Sequence, residues 1–164
     1  MAIDFSQVKT ITIPEGSVTK ITDSNGIVLW KKGPSWHTVW EGSQKIGYGG
    51  WTGSEYLFAT EHYSNALKIR VSFSSLYALI NSGDDGSITY TPSNQESPVT
   101  YNSISSNLTT LVESYVRNST RNAHYGAYLY YNKNNGKIYG QTSENNAGGN
   151  ARASIVITKI EVYS

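Results

Sequence analysis

The chain has 164 residues, a formal net charge of +1 and no cysteine. This length accommodates one ordinary domain, or a small module joined to a larger one, with room for a buried core. The absence of cysteine excludes disulfides, thiolate metal ligands and a cysteine nucleophile. The near-neutral charge, without a run of like charges, argues against nucleic acid or an anionic membrane as a partner.

The composition is typical of an all-β protein with many turns. The chain contains 13 Tyr, 4 Trp and 15 Gly, and only 15% of its residues are charged. Aromatic residues favour strands and glycine favours turns. The first residues lack a basic stretch followed by an apolar one, so we expect no signal peptide, and no apolar run is long enough to predict a membrane helix.

The first predicted elements form a three-stranded β-hairpin module over residues 1–32. Residues 8–13 alternate with the period of a half-buried strand. Further along, Asn25-Gly26 lies between two β-rich runs and tolerates the positive φ angles of a type I′ hairpin turn. Glycine, proline and serine at 33–35 then predict a linker.

The predicted hairpin has an apolar face. With a two-residue loop, Thr22 pairs with Leu29 and Ile21 pairs with Trp30. Ile21, Val28 and Trp30 then share one side of the ribbon. An isolated two-stranded ribbon is marginally stable, so this face needs cover from the rest of the chain or from another molecule. The three residues are therefore candidate attachment residues.

Residues 36–164 predict an antiparallel β-sandwich of the jelly-roll kind, because short strands are separated by clusters of Gly, Asn and Ser. The predicted strands span residues 36–43, 55–60, 67–73, 87–91, 98–103, 123–132, 137–142 and 151–163. Asn135-Gly136 predicts a second hairpin with a two-residue turn, flanked by aromatic residues suited to cross-strand pairing.

Two segments have patterns that fit more than one structure. Apolar residues from Leu108 to Val116 have helical spacing, but β-branched residues and the alternation of Val112, Ser114 and Val116 favour a strand. We predict a strand there, with a helix as the alternative. Residues 74–80 fit one helical turn.

Potential metal ligands occur without the spacing of a metal site. His37, His62 and His124 are far apart in sequence and favour surface or packing roles. Residues 84–86, Asp-Asp-Gly, lack the further regularly spaced ligands of a calcium loop and favour a turn. We expect no metal and no cofactor.

Catalytic motifs are absent from the sequence. It contains neither a nucleophile elbow nor a phosphate-binding glycine loop. Glu41, Glu55 and Glu61 are the candidates for the two carboxylates of a glycosidase. That mechanism depends on the distance between the two carboxylates, which does not follow from sequence. We expect no catalytic residues and no enzymatic activity.

The loop Tyr-Gly-Gly-Trp-Thr-Gly at 48–53 is the strongest candidate for ligand binding. Its glycines allow the backbone many conformations, and the rings of Tyr48 and Trp51 offer flat apolar faces for a sugar or a partner protein. The alternative is that these aromatics pack over the edge of the sandwich. Buried rings favour packing, whereas rings exposed along a groove favour binding.

Two groups of short strings resemble bacteriophage proteins. VKTITIPEGSVTKI at 8–21 and SNGIVLW at 24–30 resemble the front end of small virion proteins of tailed bacteriophages. In the second half, WEGS at 40–43 and ITKIEVY at 157–163 are similar to the first and last strands of a β-sandwich found in phage fibre, tail and head-decoration proteins.

The resemblance implies a virion structural protein made in the host cytoplasm. In such proteins the N-terminal module typically docks on the particle, through capsid or tail proteins, and the sandwich projects or forms a homo-oligomer, often a trimer. The few charges and abundant tyrosine also suit an oligomer interface. The alternative is a carbohydrate-binding adhesin on the tail or fibre, which recognises a host-surface glycan.

Overall fold

The computed structural model contains strands and no helix in the residues that it describes, which are 20–22, 25–31, 33–59, 63–80, 88–91, 96–104, 106–118, 123–145 and 151–164. The predicted all-β class is therefore confirmed. The chain divides into two compact units, Met1–Ser35 and Trp36–Ser164. The predicted strand at 8–13 lies outside the described residues.

The first unit contains a two-stranded antiparallel ribbon. Strand β1 spans Lys20–Thr22 and strand β2 spans Val28–Lys31. Gly26, in the connection between them, has a φ of 81°. This is the left-handed conformation for which the Asn-Gly signal selects glycine.

The strands of the second unit are longer. In chain order they are β3 Trp36–Gly47, β4 Tyr56–Leu57, β5 Lys68–Ile80, β6 Ile88–Thr91, β7 Val99–Tyr101, β8 Leu108–Asn118, β9 Ala123–Asn132, β10 Lys137–Asn145 and β11 Ala151–Tyr163. Strands β9 and β11 have the predicted bounds, whereas β3, β5 and β10 extend beyond theirs and β4 is shorter.

These strands form two antiparallel sheets. One is five-stranded in the order β4-β10-β9-β8-β6, and the other is four-stranded in the order β3-β11-β5-β7. Strand β11 contacts both β8 and β9 across the interface, and β5 also contacts β8. The two sheets therefore pack face to face, as in a β-sandwich.

The core depends on strand β11, which lies between β3 and β5. Its side chains Ile155, Ile157, Ile160 and Val162 are fully buried. Ile157 and Ile160 are three residues apart, so strict alternation would turn one of them outward. A register shift between Ile157 and Lys159 lets both face the core, which is the usual effect of a β-bulge.

Two buried hydroxyl groups in the core, those of Tyr131 and Ser114, have hydrogen-bond partners. The Tyr131 hydroxyl donates to the carbonyl oxygen of Tyr63 at 2.7 Å, and the Ser114 hydroxyl donates to that of Tyr77 at 2.6 Å. Tyr131 is fully buried and Ser114 is 2% exposed. Both bonds avoid the penalty of an unsatisfied buried polar group, and the Ser114 bond joins the two sheets.

The segment from Leu108 to Val116, whose pattern fitted either a helix or a strand, forms part of strand β8. The strand prediction is therefore confirmed. Leu111, Val112, Ser114 and Val116 are buried. A register shift between Thr110 and Val112 allows the neighbours Leu111 and Val112 to be buried together. The apparent helical spacing thus arises from a bulge superimposed on alternation.

The predicted helical turn at 74–80 is wrong, because these residues continue strand β5. Leu76 lies opposite Ile155 and Ala78 lies opposite Ala153 on β11. The neighbouring strand offers backbone partners along the whole segment, and these outweigh a weak local preference for a helix.

The second predicted two-residue turn is also wrong. Asn132 pairs with Lys137, so four residues, 133–136, form the loop. The backbone N–H of Asn134 donates to the side chain of Asn132 at 3.0 Å, and that of Lys137 donates to the side chain of Asn135 at 3.1 Å. Asparagine side chains therefore accept hydrogen bonds from the backbone of the loop and stabilise a turn longer than two residues.

We predict that Gly140→Ala destabilises the sandwich. A Cβ at Gly140 would lie 2.8 Å from Cδ1 of the fully buried Ile46, so the substitution overpacks the core. We expect the free energy of unfolding in urea to fall by about 1–3 kcal/mol.

Gly33→Ala is the matched control for this change, because nothing lies within 4 Å of a Cβ at Gly33. It should leave the unfolding curve unchanged. Equal stability of Gly140→Ala and the wild-type chain would contradict the close approach of Ile46 to β10.

Candidate functional site

The hairpin of the first unit has a partly different register from the prediction. Ile21 lies opposite Trp30, as predicted, but Thr22 lies opposite Val28 and not opposite Leu29. The register shifts between Ile21 and Thr22, which places one extra residue on β2.

The candidate attachment residues are only partly described. Val28 is 50% exposed and Ile21 is partly buried, while for Trp30 the structure describes the backbone pairing alone. The extra residue on β2 interrupts simple alternation, on which the shared face of the three side chains depends. Their role in attachment stays a prediction.

The loop at 48–53 is tied down by backbone hydrogen bonds. The N–H of Gly47 donates to Trp51 O at 2.7 Å, and the N–H of Trp51 donates to Lys45 O at 3.0 Å. Gly47 and Gly49 have φ angles of 97° and 73°. The glycines therefore allow a tight and defined turn.

The two rings of this loop have different surroundings. Trp51 packs against the core cluster, 5.7 Å from the ring of Tyr56 and over Gly53, where a Cβ would lie 2.8 Å from the indole. Tyr48 is 41% exposed, with the guanidinium of Arg152 at 4.4 Å from its ring centroid. Trp51 therefore contributes to packing, and the exposed ring of Tyr48 is engaged by a cation.

The other candidate groups do not form a recognisable centre. Among the described residues, no group of at least three His, Asp or Glu side chains is placed to hold a metal ion. His124 Nε2 lies 3.2 Å from the Ser143 hydroxyl, and Glu55 forms an ion pair with Lys137 at 3.2 Å. Residues 61, 62 and 84–86 lie outside the described part of the chain.

The structure brings together a set of aromatic side chains that the sequence did not single out. We call it the tyrosine row: Tyr115 on β8, Tyr128 and Tyr130 on β9, and Tyr139 on β10. Successive ring centroids are 6.5, 5.5 and 5.7 Å apart. These rings alternate with buried residues, so the row lies on the outer face of the five-stranded sheet.

Tyr128 lies flat on this face because its neighbour is a glycine. A Cβ built on Gly126 would overlap the phenol ring and hydroxyl of Tyr128. The ring covers the bare backbone of Gly126, and it stacks with Tyr130 at an interplanar angle of 16°. The half-buried ring of Tyr128 therefore contacts both the backbone of Gly126 and the ring of Tyr130.

Polar side chains border the row. Glu113 and Gln141 lie opposite Tyr128 on its two neighbouring strands, and Thr110 hydrogen-bonds to Tyr130. A carboxylate accepts hydrogen bonds, and an amide both donates and accepts them. The face thus combines flat apolar rings with hydrogen-bonding groups of both kinds.

The surroundings keep the phenols of Tyr128, Tyr130 and Tyr139 protonated by raising their pKa values. Burial, followed by the neighbouring phenols and the Glu113 carboxylate, raises the pKa of Tyr128 far above its ordinary value. Burial also raises the pKa of Tyr130 and of Tyr139, with neighbouring phenols or carboxylates adding to the effect. These hydroxyls therefore remain hydrogen-bond donors in neutral and mildly alkaline solution.

The sequence contained part of the signal for this site. Tyr128 and Tyr130 are two residues apart in a predicted strand, which places them on one side of a sheet. The contributions of Tyr115 and Tyr139 depend on the register of β8 and β10 against β9. Strand pairing, and not local pattern, fixes that register.

Comparisons of the chain with protein-family models, curated proteins and solved structures gave no match. In the described part of the chain, no helix is long and apolar enough to cross a membrane.

We predict that Tyr128→Phe reduces the loss of stability that the protein undergoes as the pH rises above about 10. In the unfolded chain a tyrosine ionises near pH 10, at about its ordinary pKa, whereas the folded chain holds the Tyr128 proton to higher pH. The folded state then binds more protons than the unfolded state, so the free energy of unfolding falls as the pH rises above about 10.

The measurement is urea unfolding of both proteins at a series of pH values from about 8 to about 11. Tyr128→Phe lacks the ionising group and should lose less stability over this range. The same slope in both proteins would contradict the raised pKa of Tyr128.

Proposed function

We propose that the protein is a non-enzymatic bacteriophage virion protein, which attaches to the particle through its first unit and presents its β-sandwich. The observation that carries this proposal is the exposed apolar side chain of Val28 on a ribbon of two short strands. Such a ribbon is marginally stable by itself. A partner surface that covers Val28 would stabilise both the ribbon and the contact.

Two further features support the proposal. The unit Met1–Ser35 is separate from the sandwich unit Trp36–Ser164, which suits a division between attachment and display. Residues 8–21 and 24–30, within the first unit, resemble the front end of phage virion proteins. We further propose that the partners are capsid or tail proteins and that the chain assembles as a homo-oligomer.

The hypothesis that Tyr48 and Trp51 bind a carbohydrate has less support from the geometry. Trp51 packs against the core cluster and Arg152 lies over the ring of Tyr48. Trp51 therefore contributes to the core, and Arg152 occupies a face of Tyr48 that a stacked sugar would use.

We predict that Val28→Asp prevents incorporation into particles. A tagged chain is expressed in the host during infection, and the amount in gradient-purified particles is measured. A charge at a contact that buries Val28 should reduce incorporation about tenfold or more. Trp30→Ala should cause a similar loss without lowering the melting temperature of the sandwich, because Trp30 belongs to the first unit.

Leu67→Asp is the matched control, since Leu67 is 53% exposed and lies in the sandwich unit. It introduces the same charge and should leave incorporation unchanged. The proposal fails if the wild-type chain is absent from purified particles, or if Val28→Asp and Trp30→Ala are both incorporated normally.

A further inference from the structure

We propose that the tyrosine row binds a neutral polysaccharide along the length of its chain. This proposal goes beyond attachment to a particle and does not depend on the virion assignment. It rests on the shape of the row, on the polar groups beside it and on the contrast with the opposite outer face of the sandwich.

The shape of the row suits an extended chain of sugar rings. Its rings follow one another across strands β8, β9 and β10 at centroid distances of 5.5–6.5 Å. The planes of neighbouring rings differ by 16–42°. A line of rings can contact several units of one polysaccharide in succession.

The chemistry of the row suits a pyranose ring, which has apolar C–H faces and hydroxyl groups around its edge. The C–H face of a sugar packs on the negative face of an aromatic ring. Glu113, Gln141 and the protonated hydroxyl of Tyr128 lie beside that surface and can pair with sugar hydroxyls. Specific ligand sites combine such apolar surface with a few polar groups.

Side chains along β9 and β10 favour a sugar over the apolar core of a protein interface. Apart from Gly126, which lies beneath Tyr128, the central outward positions hold ring or hydrogen-bonding side chains: His124, Tyr128, Tyr130, Tyr139, Gln141 and Ser143. Tyrosine is also enriched at protein interfaces, but a sugar requires polar groups next to each ring, and the outward positions of β9 and β10 supply them.

The outer face of the four-stranded sheet provides a contrast. There the guanidinium of Arg70 lies 4.2 Å from the ring centroid of Trp36, and Lys68 Nζ lies 5.4 Å from that of Tyr163. Arg70 also pairs with Glu161 at 3.5 Å. In the part of the chain that the structure describes, every cation–ring contact involves a ring outside the tyrosine row, so no Lys or Arg competes with a neutral ligand for the row.

The test is calorimetric titration of the full chain with cellohexaose, maltohexaose and chitohexaose, and with glucose and N-acetylglucosamine. The wild-type chain should bind at least one hexasaccharide about tenfold more tightly than the corresponding monosaccharide, because several rings contact the longer ligand. Tyr128→Ala should weaken that binding about tenfold, whereas Tyr128→Phe retains the ring face and should stay within about threefold of wild type.

Two further variants test whether binding depends on the position of the rings in the row, and not only on the number of tyrosines in the chain. Gly126→Ala keeps all four rings of the row but displaces Tyr128 from the sheet, so it should weaken binding as Tyr128→Ala does. Tyr77→Ala removes a ring that is 38% exposed on β5 of the other sheet, and it should bind like wild type. If Gly126→Ala fails to fold, Tyr139→Ala replaces it with the same expected loss.

Three outcomes would overturn the proposal: no hexasaccharide binds, a monosaccharide binds as tightly as its hexasaccharide, or Tyr128→Ala binds like wild type. A wild-type chain that sediments as a dimer without binding sugar, and becomes a monomer in Tyr128→Ala, would assign this face to a second copy instead. Incorporation of Tyr128→Ala into particles should be unchanged, so failure here is distinguishable from failure of the attachment proposal.

Discussion

The burial of one apolar side of strand β11 between the two sheets is the interaction on which the sandwich depends. Ile155, Ile157, Ile160 and Val162 are fully buried, and β11 pairs along its length with β3 and β5. Because alternate residues of a strand face opposite sides, fixing this buried side also fixes which residues reach solvent. The same constraint on β9 buries Leu129 and so turns Tyr128 and Tyr130 outward.

A glycine on each side of the five-stranded sheet leaves space for a neighbouring side chain. On the inner side, Gly140 leaves space for Ile46 to pack directly against β10. On the outer side, Gly126 leaves space for the ring of Tyr128 to lie flat. Each glycine gives up strand stability in return for close contact with a ring or a side chain. The inner contact contributes to the core, and the outer contact shapes a surface for a ligand.

The sequence predicted the all-β class and the bounds of β9 and β11, because strong alternation there is bounded by turn residues. It could not resolve features that depend on pairing. The bulges in β8 and β11, the extended β5 and the four-residue loop before Lys137 all follow from neighbouring strands or from side-chain hydrogen bonds. The tyrosine row was missed for the same reason. Trp51 looked like a binding residue because exposure does not follow from sequence.

We propose a division in which the first unit attaches and the sandwich displays the tyrosine row. An NMR titration of the full chain with the hexasaccharides tests binding to that row most directly. We predict that amide and ring shifts change around Tyr115, Tyr128, Tyr130 and Tyr139 and not around the loop at 48–53. Shift changes confined to that loop, or none at saturating sugar, would contradict this account.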